Sequence, residues 1–196
     1  MIIAVDAAGG DHYPKNPILG ALEAIKEFDN LTVLLIGPEK LVQSELSQHH
    51  HEQSRIQILN APQVVDMTDS ASLALKQKPN SSIAKGITLH KQGHCHGFVS
   101  AGNTGVLLAA SMFILGKLEG ISRPTIATYY PSLEGFRLII DAGANLDIKP
   151  EMALQFALMG QVYAKEIMGI EQPRVGLLNV GEEEGKGTEL LKEIYV

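Results

Sequence analysis

The sequence predicts an α/β protein, a three-layer α/β/α sandwich around a mainly parallel, Rossmann-like sheet. Three observations predict it. Short apolar runs rich in Val, Ile and Leu recur along the chain, helical patterns separate most of them, and glycine-rich polar loops follow several. Continuous apolar runs suit strands buried on both faces, and β-α-β-α alternation makes parallel sheets with helices outside.

The strand-like runs are 2–6, 31–36, 55–59, 97–100, 125–129, 137–141 and 175–180. Helical patterns cover 17–28, 38–48, 81–92, 104–117, 150–168 and 187–195. Pro17, Pro38 and the pair Pro150-Glu151 suit first-turn positions, where a missing N–H costs nothing. Residues 125–141 break the rhythm: two runs flank PSLEG with no helix between them, which predicts a hairpin. Residues 43–54, QSELSQHHHEQS, read as a helix end and a surface loop. No internal repeat or low-complexity tract appears. The chain is expected to be one α/β domain over 1–196, with a hairpin insertion at 122–140. It stops inside the helical pattern GTELLKEIYV, so a C-terminal continuation is also expected.

Composition narrows the function classes. The 196 residues are 45% hydrophobic and 19% charged, enough apolar material for a sizeable core. A net charge of −6 offers no global basic field for nucleic acid, so no nucleic-acid partner is expected. The single cysteine, Cys95, excludes an internal disulfide and fits a reducing compartment. The start MIIAVDAAGGD lacks signal-peptide character, and no run approaches the roughly 20 apolar residues of a membrane span. A cytoplasmic protein is expected, with peripheral membrane contact left open.

Four loops at predicted strand ends concentrate glycine with Asp, Asn, Ser or Thr: DAAGGD (6–11), SAGNTG (100–105), DAGAN (141–145) and NVGEEEGKG (179–187). In parallel sheets ligands gather at the carboxyl ends of strands. Glycine lets backbone amides face a ligand, while Asn and Asp either hold the loop or touch the ligand. Taken singly, each loop has an ordinary explanation as a tight turn with a cap. Four in register favour a shared anion site. None matches a standard nucleotide fingerprint, because the glycine spacings of G-x-G-x-x-G and G-x-x-x-x-G-K-[ST] are absent.

Lys186, between Gly185 and Gly187, is the electrostatic candidate for a phosphate or a developing oxyanion. Its plain alternative is a solvated lysine balancing Glu182–Glu184. His94, Cys95 and His96 alternate faces on a strand, so they do not converge on one metal ion. No metal is expected there, and His49–His51 reads as a solvated loop.

In order along the chain, IAVDAAGGD, FVSAGNTGVLLAAS, RPTIAT, DAGAN and NVGEEEGKGTELLKEIY resemble the phosphate acyltransferases of bacterial phospholipid synthesis, the PlsX family. The resemblance covers essentially the whole chain, with Ala8 standing where the family usually has methionine. It implies a fold similar to phosphotransacetylases and isocitrate/isopropylmalate dehydrogenases, and a homodimer. It further implies conversion of acyl-ACP and inorganic phosphate to acyl phosphate and acyl carrier protein. That product would feed a glycerol-3-phosphate acyltransferase, with peripheral association at the inner face of the membrane.

With phosphate as nucleophile and a thioester as electrophile, the chemistry calls for orientation and oxyanion stabilisation, and for no cofactor or metal. On this reading Gly9, Gly10, Gly102, Asn103 and Thr104 cradle phosphate. Lys186 neutralises charge, and Asn145 and Asn179 donate hydrogen bonds. Asp6, Ser100, Gly181 and Glu182 complete the substrate set. Asp11 and Asp141 either join it or order the loops. The alternatives are a phosphotransacetylase-like enzyme using acyl-CoA, a non-catalytic binding fragment and, on fold analogy only, a dehydrogenase relative.

Overall fold

A computed structural model describes residues 1–145, 147–181, 183 and 185–195, apart from the side chain of Ser72. The chain divides into two compact units, Met1–Gly116 and Lys117–Val196.

In the first unit β1 (Ile2–Asp6), β2 (Thr32–Gly37), β3 (Ile56–Asn60) and β4 (Gly97–Val99) form one sheet in the order β3-β2-β1-β4. Every pairing is parallel, with Ile3 opposite Val33 on one side and Gly97 on the other. Helices α1 (Lys15–Glu27) and α2 (Glu39–Leu46) cover one face. There Ile18, Leu22, Ile25, Val42 and Leu46 pack with Val33 and Leu35, and with the half-buried Ile3 and Val5. Ala4 and Ile36 point the other way, toward Ala61, Cys95, Leu89 and Phe98. The alternation of neighbouring side chains across a strand thus fills both layers from the same two strands. Full burial of a residue such as Ile18 contributes roughly 1.5–3 kcal/mol.

Helices α3 (Ala71–Gln77), α4 (Ser82–Lys91) and α5 (Thr104–Ala110) share a further cluster of Val65, Ala74, Ile83, Ile87, Val106 and Ala110. Local chemistry marks the helix ends. Ser81 accepts a hydrogen bond from the Ala84 N–H at 3.3 Å and so caps α4. At the far end of α1, Arg55 donates to the Ile25 carbonyl in the last turn, at 2.5 Å, and to the carbonyls of Phe28 and Asp29 just beyond it, both at 3.0 Å.

Two expectations for helices change. The pattern over 104–117 is α-helical only to Ala110 and continues as a π-helical turn, Ser111–Leu115. Ser111 Oγ donates back to the Leu107 carbonyl at 2.9 Å, and Gly116 at φ +103° ends the segment. Helix α3 is not anticipated by the periodicity, since seven residues are too few to display it.

The second unit holds the antiparallel pair β5 (Ala127–Ser132) and β6 (Gly135–Ile140), then α6 (Pro150–Glu166) and α7 (Glu189–Tyr195). The helix-free segment at 125–141 therefore folds as a hairpin, with Ser132 opposite Gly135 and φ +103° at Gly135. Pro150 sits at the start of α6. Gly160 of α6 lies so close to β6 that a Cβ there would stand 3.2 Å from Ile140 Cγ2.

No strand forms at 175–180: residues 173–179 take neither helical nor strand structure. Val175, Leu178 and Val180 are 61%, 81% and 86% exposed. Their apolar pattern fits a strand, but a strand needs a neighbour for its N–H and C=O groups. Among the described residues no helix is long and apolar enough to cross a membrane.

Candidate functional site

Asp6, at the carboxyl end of β1, is 2% exposed and binds together two of the four loops. Its Oδ1 accepts from the Ala8 N–H at 3.0 Å, turning its own loop back. Its Oδ2 accepts from Ser100 Oγ at 2.7 Å, and Ser100 Oγ in turn accepts from the Gly102 N–H at 3.0 Å. A buried carboxylate is tolerable only when such donors replace water.

The glycines allow the approach. A Cβ on Gly9 would stand 2.5 Å from Asp6 Oδ2 and 2.9 Å from the Gly102 nitrogen. One on Gly102 would lie 3.2 Å from both Asp6 Oδ2 and Ser100 Oγ. Gly10 takes φ +88°, a left-handed conformation that favours glycine. The structure thus brings Asp6, Gly9, Gly10, Ser100 and Gly102 together.

Asn103 joins them, 8% exposed, in the role of a cap. Its Oδ1 accepts from the Val106 N–H at 3.0 Å. Its Nδ2 donates at 3.1 Å to each of three carbonyls, those of Asp66, Met67 and Asp69. Both ends of the amide are therefore engaged by the protein. Thr104, beside it, is exposed at the start of α5, and Asp11 is exposed at the far end of its loop.

A cleft of about 560 Å³ opens beside these loops, lined among others by Ile3, Val5, Val33, Val99, Gly10 and Asp11. It has an apolar floor from β1, β2 and β4 and a polar rim from the loop after β1.

The second unit repeats the pattern of a carboxylate hub. Asp141 Oδ1 accepts from Thr125 Oγ1 at 2.7 Å and the Ile126 N–H at 2.9 Å. Its Oδ2 accepts from the Asn145 N–H at 2.7 Å, and Asn145 Nδ2 donates to the Pro124 carbonyl at 3.0 Å. Burial works to raise the Asp141 pKa, but the bonds from Ile126, Thr125 and Asn145 outweigh it and hold the carboxyl below its ordinary value.

In the loop 179–187, Asn179 Nδ2 donates to the Lys186 carbonyl at 3.2 Å and closes the loop on itself. Gly187, at φ +92°, lets that side chain lie close: a Cβ there would be 2.5 Å from Asn179 Oδ1. Gly181 is half-buried and Lys186 exposed, while Glu182 lies outside the described residues.

Cys95 is buried, and burial pushes its thiol pKa up against the opposing hydrogen bonds of Gly97 and Ala4. A thiol held protonated is a poor nucleophile, so this cysteine packs rather than reacts.

The family model described as "Fatty acid synthesis protein" matches residues 1–196. The chain belongs to this family. The phosphate acyltransferase of Halothermothrix orenii is 45% identical over 195 residues, covering 100% of this chain and 58% of that protein. That of Salinibacter ruber is 47% identical over 195 residues, covering 98% of this chain and 58% of its own length. The chain thus spans 58% of these relatives.

Among solved structures, a phosphotransacetylase from Streptococcus pyogenes superposes with a TM-score of 0.63 at 18% identity, covering 87% of this chain and 55% of that one. The EutD phosphotransacetylase from Staphylococcus aureus gives 0.61 at 17% identity, covering 84% and 52%. At such identities the likeness is one of fold, and it agrees with the three-layer α/β reading.

Residues that sequence reasoning missed are Asp66, Asp69 and Lys78. Lys78 Nζ donates to Asp69 Oδ2 at 2.5 Å and to Asp66 Oδ2 at 3.1 Å. The sequence signal for Asp66 and Asp69 is the mostly polar run D-M-T-D-S ahead of a short helix, and Lys78, beyond that helix, carries none.

Proposed function

We propose that the protein to which this chain belongs is an acyl-ACP:phosphate acyltransferase of fatty acid and phospholipid synthesis. The observation that carries the reading is the family match across residues 1–196, which includes all four glycine-rich loops. A phosphate oxygen attacks the acyl thioester carbonyl, and the tetrahedral oxyanion collapses by breaking the C–S bond. The products are acyl phosphate and the carrier thiolate, which takes up a proton.

This chemistry asks the protein to hold phosphate and acyl group in line and to offset charge on the oxyanion. The loops 6–11 and 100–105 supply rigid backbone at the carboxyl ends of adjacent strands. Gly9, Gly10, Gly102 and Thr104 face phosphate on this reading, with Asp6, Ser100 and Asn103 fixing the loop. Lys186 neutralises charge on this reading, while within the second unit Asn179 holds its own loop and Asp141 with Asn145 orders another. The protein works in the cytoplasm as a homodimer, peripheral at the membrane, and passes acyl phosphate to a glycerol-3-phosphate acyltransferase.

The test is phosphate-dependent acyl phosphate formation by the full-length protein, with acyl-ACP and acyl-CoA of equal chain length as rival donors. Faster turnover of the ACP donor supports the reading, whereas turnover of CoA alone assigns a phosphotransacetylase-like enzyme. Lys186→Ala is expected to lower kcat/KM by about 10²–10³, the usual scale for losing one oxyanion-stabilising group. Full activity in a folded Lys186→Ala protein removes the charge role.

A further inference from the structure

We propose that Lys78 is a positioning residue for the SAGNTG loop, acting through the turn at 66–69 and the Asn103 amide. The inference rests on the acyltransferase reading above, because it concerns the same loop.

The geometry forms a continuous chain of contacts. Lys78 is the C-cap of α3, and its ammonium folds back to the turn that precedes the same helix. There it bridges Asp66 and Asp69, while Asp69 Oδ2 also accepts the Asp66 N–H at 2.8 Å. That turn presents the carbonyls of Asp66, Met67 and Asp69 to one nitrogen, Asn103 Nδ2. Carbonyl dipoles crowded at one point repel each other unless a donor sits among them, and of the Asn103 amide only the Nδ2 end can donate. Asn103 then caps α5, and the adjoining Gly102 N–H bonds Ser100 on its way to Asp6. Displacing the turn therefore displaces the residue between Gly102 and Thr104.

Electrostatics agree with the contacts. The Lys78 ammonium, then the Asp66 N–H, hold the Asp69 carboxyl below its ordinary value. The Asp69 carboxylate holds the ammonium above its own, against a smaller effect of burial. An ion pair as accessible as this one, with Lys78 at 24% and Asp69 at 26%, adds little to global stability. Its consequence is local geometry, and small misplacements of a substrate-holding loop are costly to turnover.

The experiment uses the full-length protein and measures acyl phosphate formation as phosphate is varied, beside thermal melting. Lys78→Met and Asp69→Asn are each expected to raise the KM for phosphate about tenfold, within the range a loop misplacement produces, with the melting temperature little changed. Lys78→Arg, which keeps a cation able to bridge two carboxylates, restores most of it. A phosphate KM within about twofold of wild type in both folded variants overturns the proposal, being too small for a tenfold positioning effect. Asp69→Asn keeps an oxygen for the Asp66 N–H, so it decides alone if Lys78→Met does not fold. A wild-type protein that makes no acyl phosphate rejects the enzyme reading. The turn's hold on the loop is then read from hydrogen exchange of the 102–107 amides, where faster exchange in both variants supports it and unchanged exchange overturns it.

Discussion

Asp6 and Asn103 spend their hydrogen-bonding capacity inside the protein, and that decides what substitutions there cost. Gly9→Ala places a methyl 2.5 Å from Asp6 Oδ2 and 2.9 Å from the Gly102 nitrogen, so the hub or the loop backbone must shift. Overpacking of this kind costs about 1–3 kcal/mol, to be read from urea unfolding of Gly9→Ala beside wild type. Gly20, in the middle of α1, has nothing within 4 Å of its Cβ position. Gly20→Ala is accordingly expected to stabilise this chain by about 0.5–1 kcal/mol. Equal stabilities for the two variants would contradict the close approach of the loops. Asn103→Ala removes a cap and leaves three carbonyls without their donor, for a combined loss of about 2–4 kcal/mol. Asn103→Asp keeps an acceptor for Val106 but sets a negative charge against the same carbonyls, so it does not rescue.

At the scale of elements, the second unit hangs on the Asp141 latch at the base of the β5–β6 hairpin. The folded pKa of Asp141 lies below its ordinary value of 3.8, so the latch contributes stability above that value. The contribution disappears as pH falls through the lower, folded value, when protonation removes an acceptor for Thr125, Ile126 and Asn145. The near-UV circular dichroism of the tyrosines, with Tyr129 of β5 bonded to Tyr163 of α6, should therefore fall in acid below the carboxylate range. Asp141→Asn is expected to show a weaker signal at neutral pH and a flatter acid dependence. An acid profile identical to wild type would sink the latch.

The elements that sequence reading found and missed differ for a physical reason. Strands β1 and β2, in the middle of the sheet, are legible because cover on both faces demands apolar residues at nearly every position, and β3 and β4 beside them still carry short apolar runs. The run at 175–180 carries the same signature without a neighbouring strand, and pairing is a long-range property that composition does not record. The site divides likewise: glycine and Asp in DAAGGD and SAGNTG announce tight backbone, whereas Lys78 and Asp69 reach the loop only through the fold. The engagement of the Asn103 nitrogen was equally hidden, since its partners lie 34–37 residues away, whereas its oxygen caps Val106 three residues on.

For the whole molecule, apolar burial is distributed unevenly between the two compact units. Among the described residues, the buried hydrophobic side chains after Gly116 are Met152, Phe156 and Ala164, while the first unit holds three buried apolar clusters, with Ile18 and Leu35 in one, Val106 in another and Ala4 in the third. Every residue of β5 is exposed, and so is the first half of β6. Backbone hydrogen bonds open locally at a cost set by the apolar packing that must be undone. Native-state exchange on this 196-residue chain should find the amides of β1 and β2 the slowest. Those of β5 and β6 should exchange at least about tenfold faster, a difference near 1.4 kcal/mol. The paired amides of the hairpin are hydrogen-bonded as regularly as those of the parallel sheet, so pairing alone predicts equal protection. Equal rates would mean that burial does not set the local stability of the two units. A slow sheet beside a fast hairpin marks Met1–Gly116, which carries both Asp6-linked loops, as the more stable of the two units.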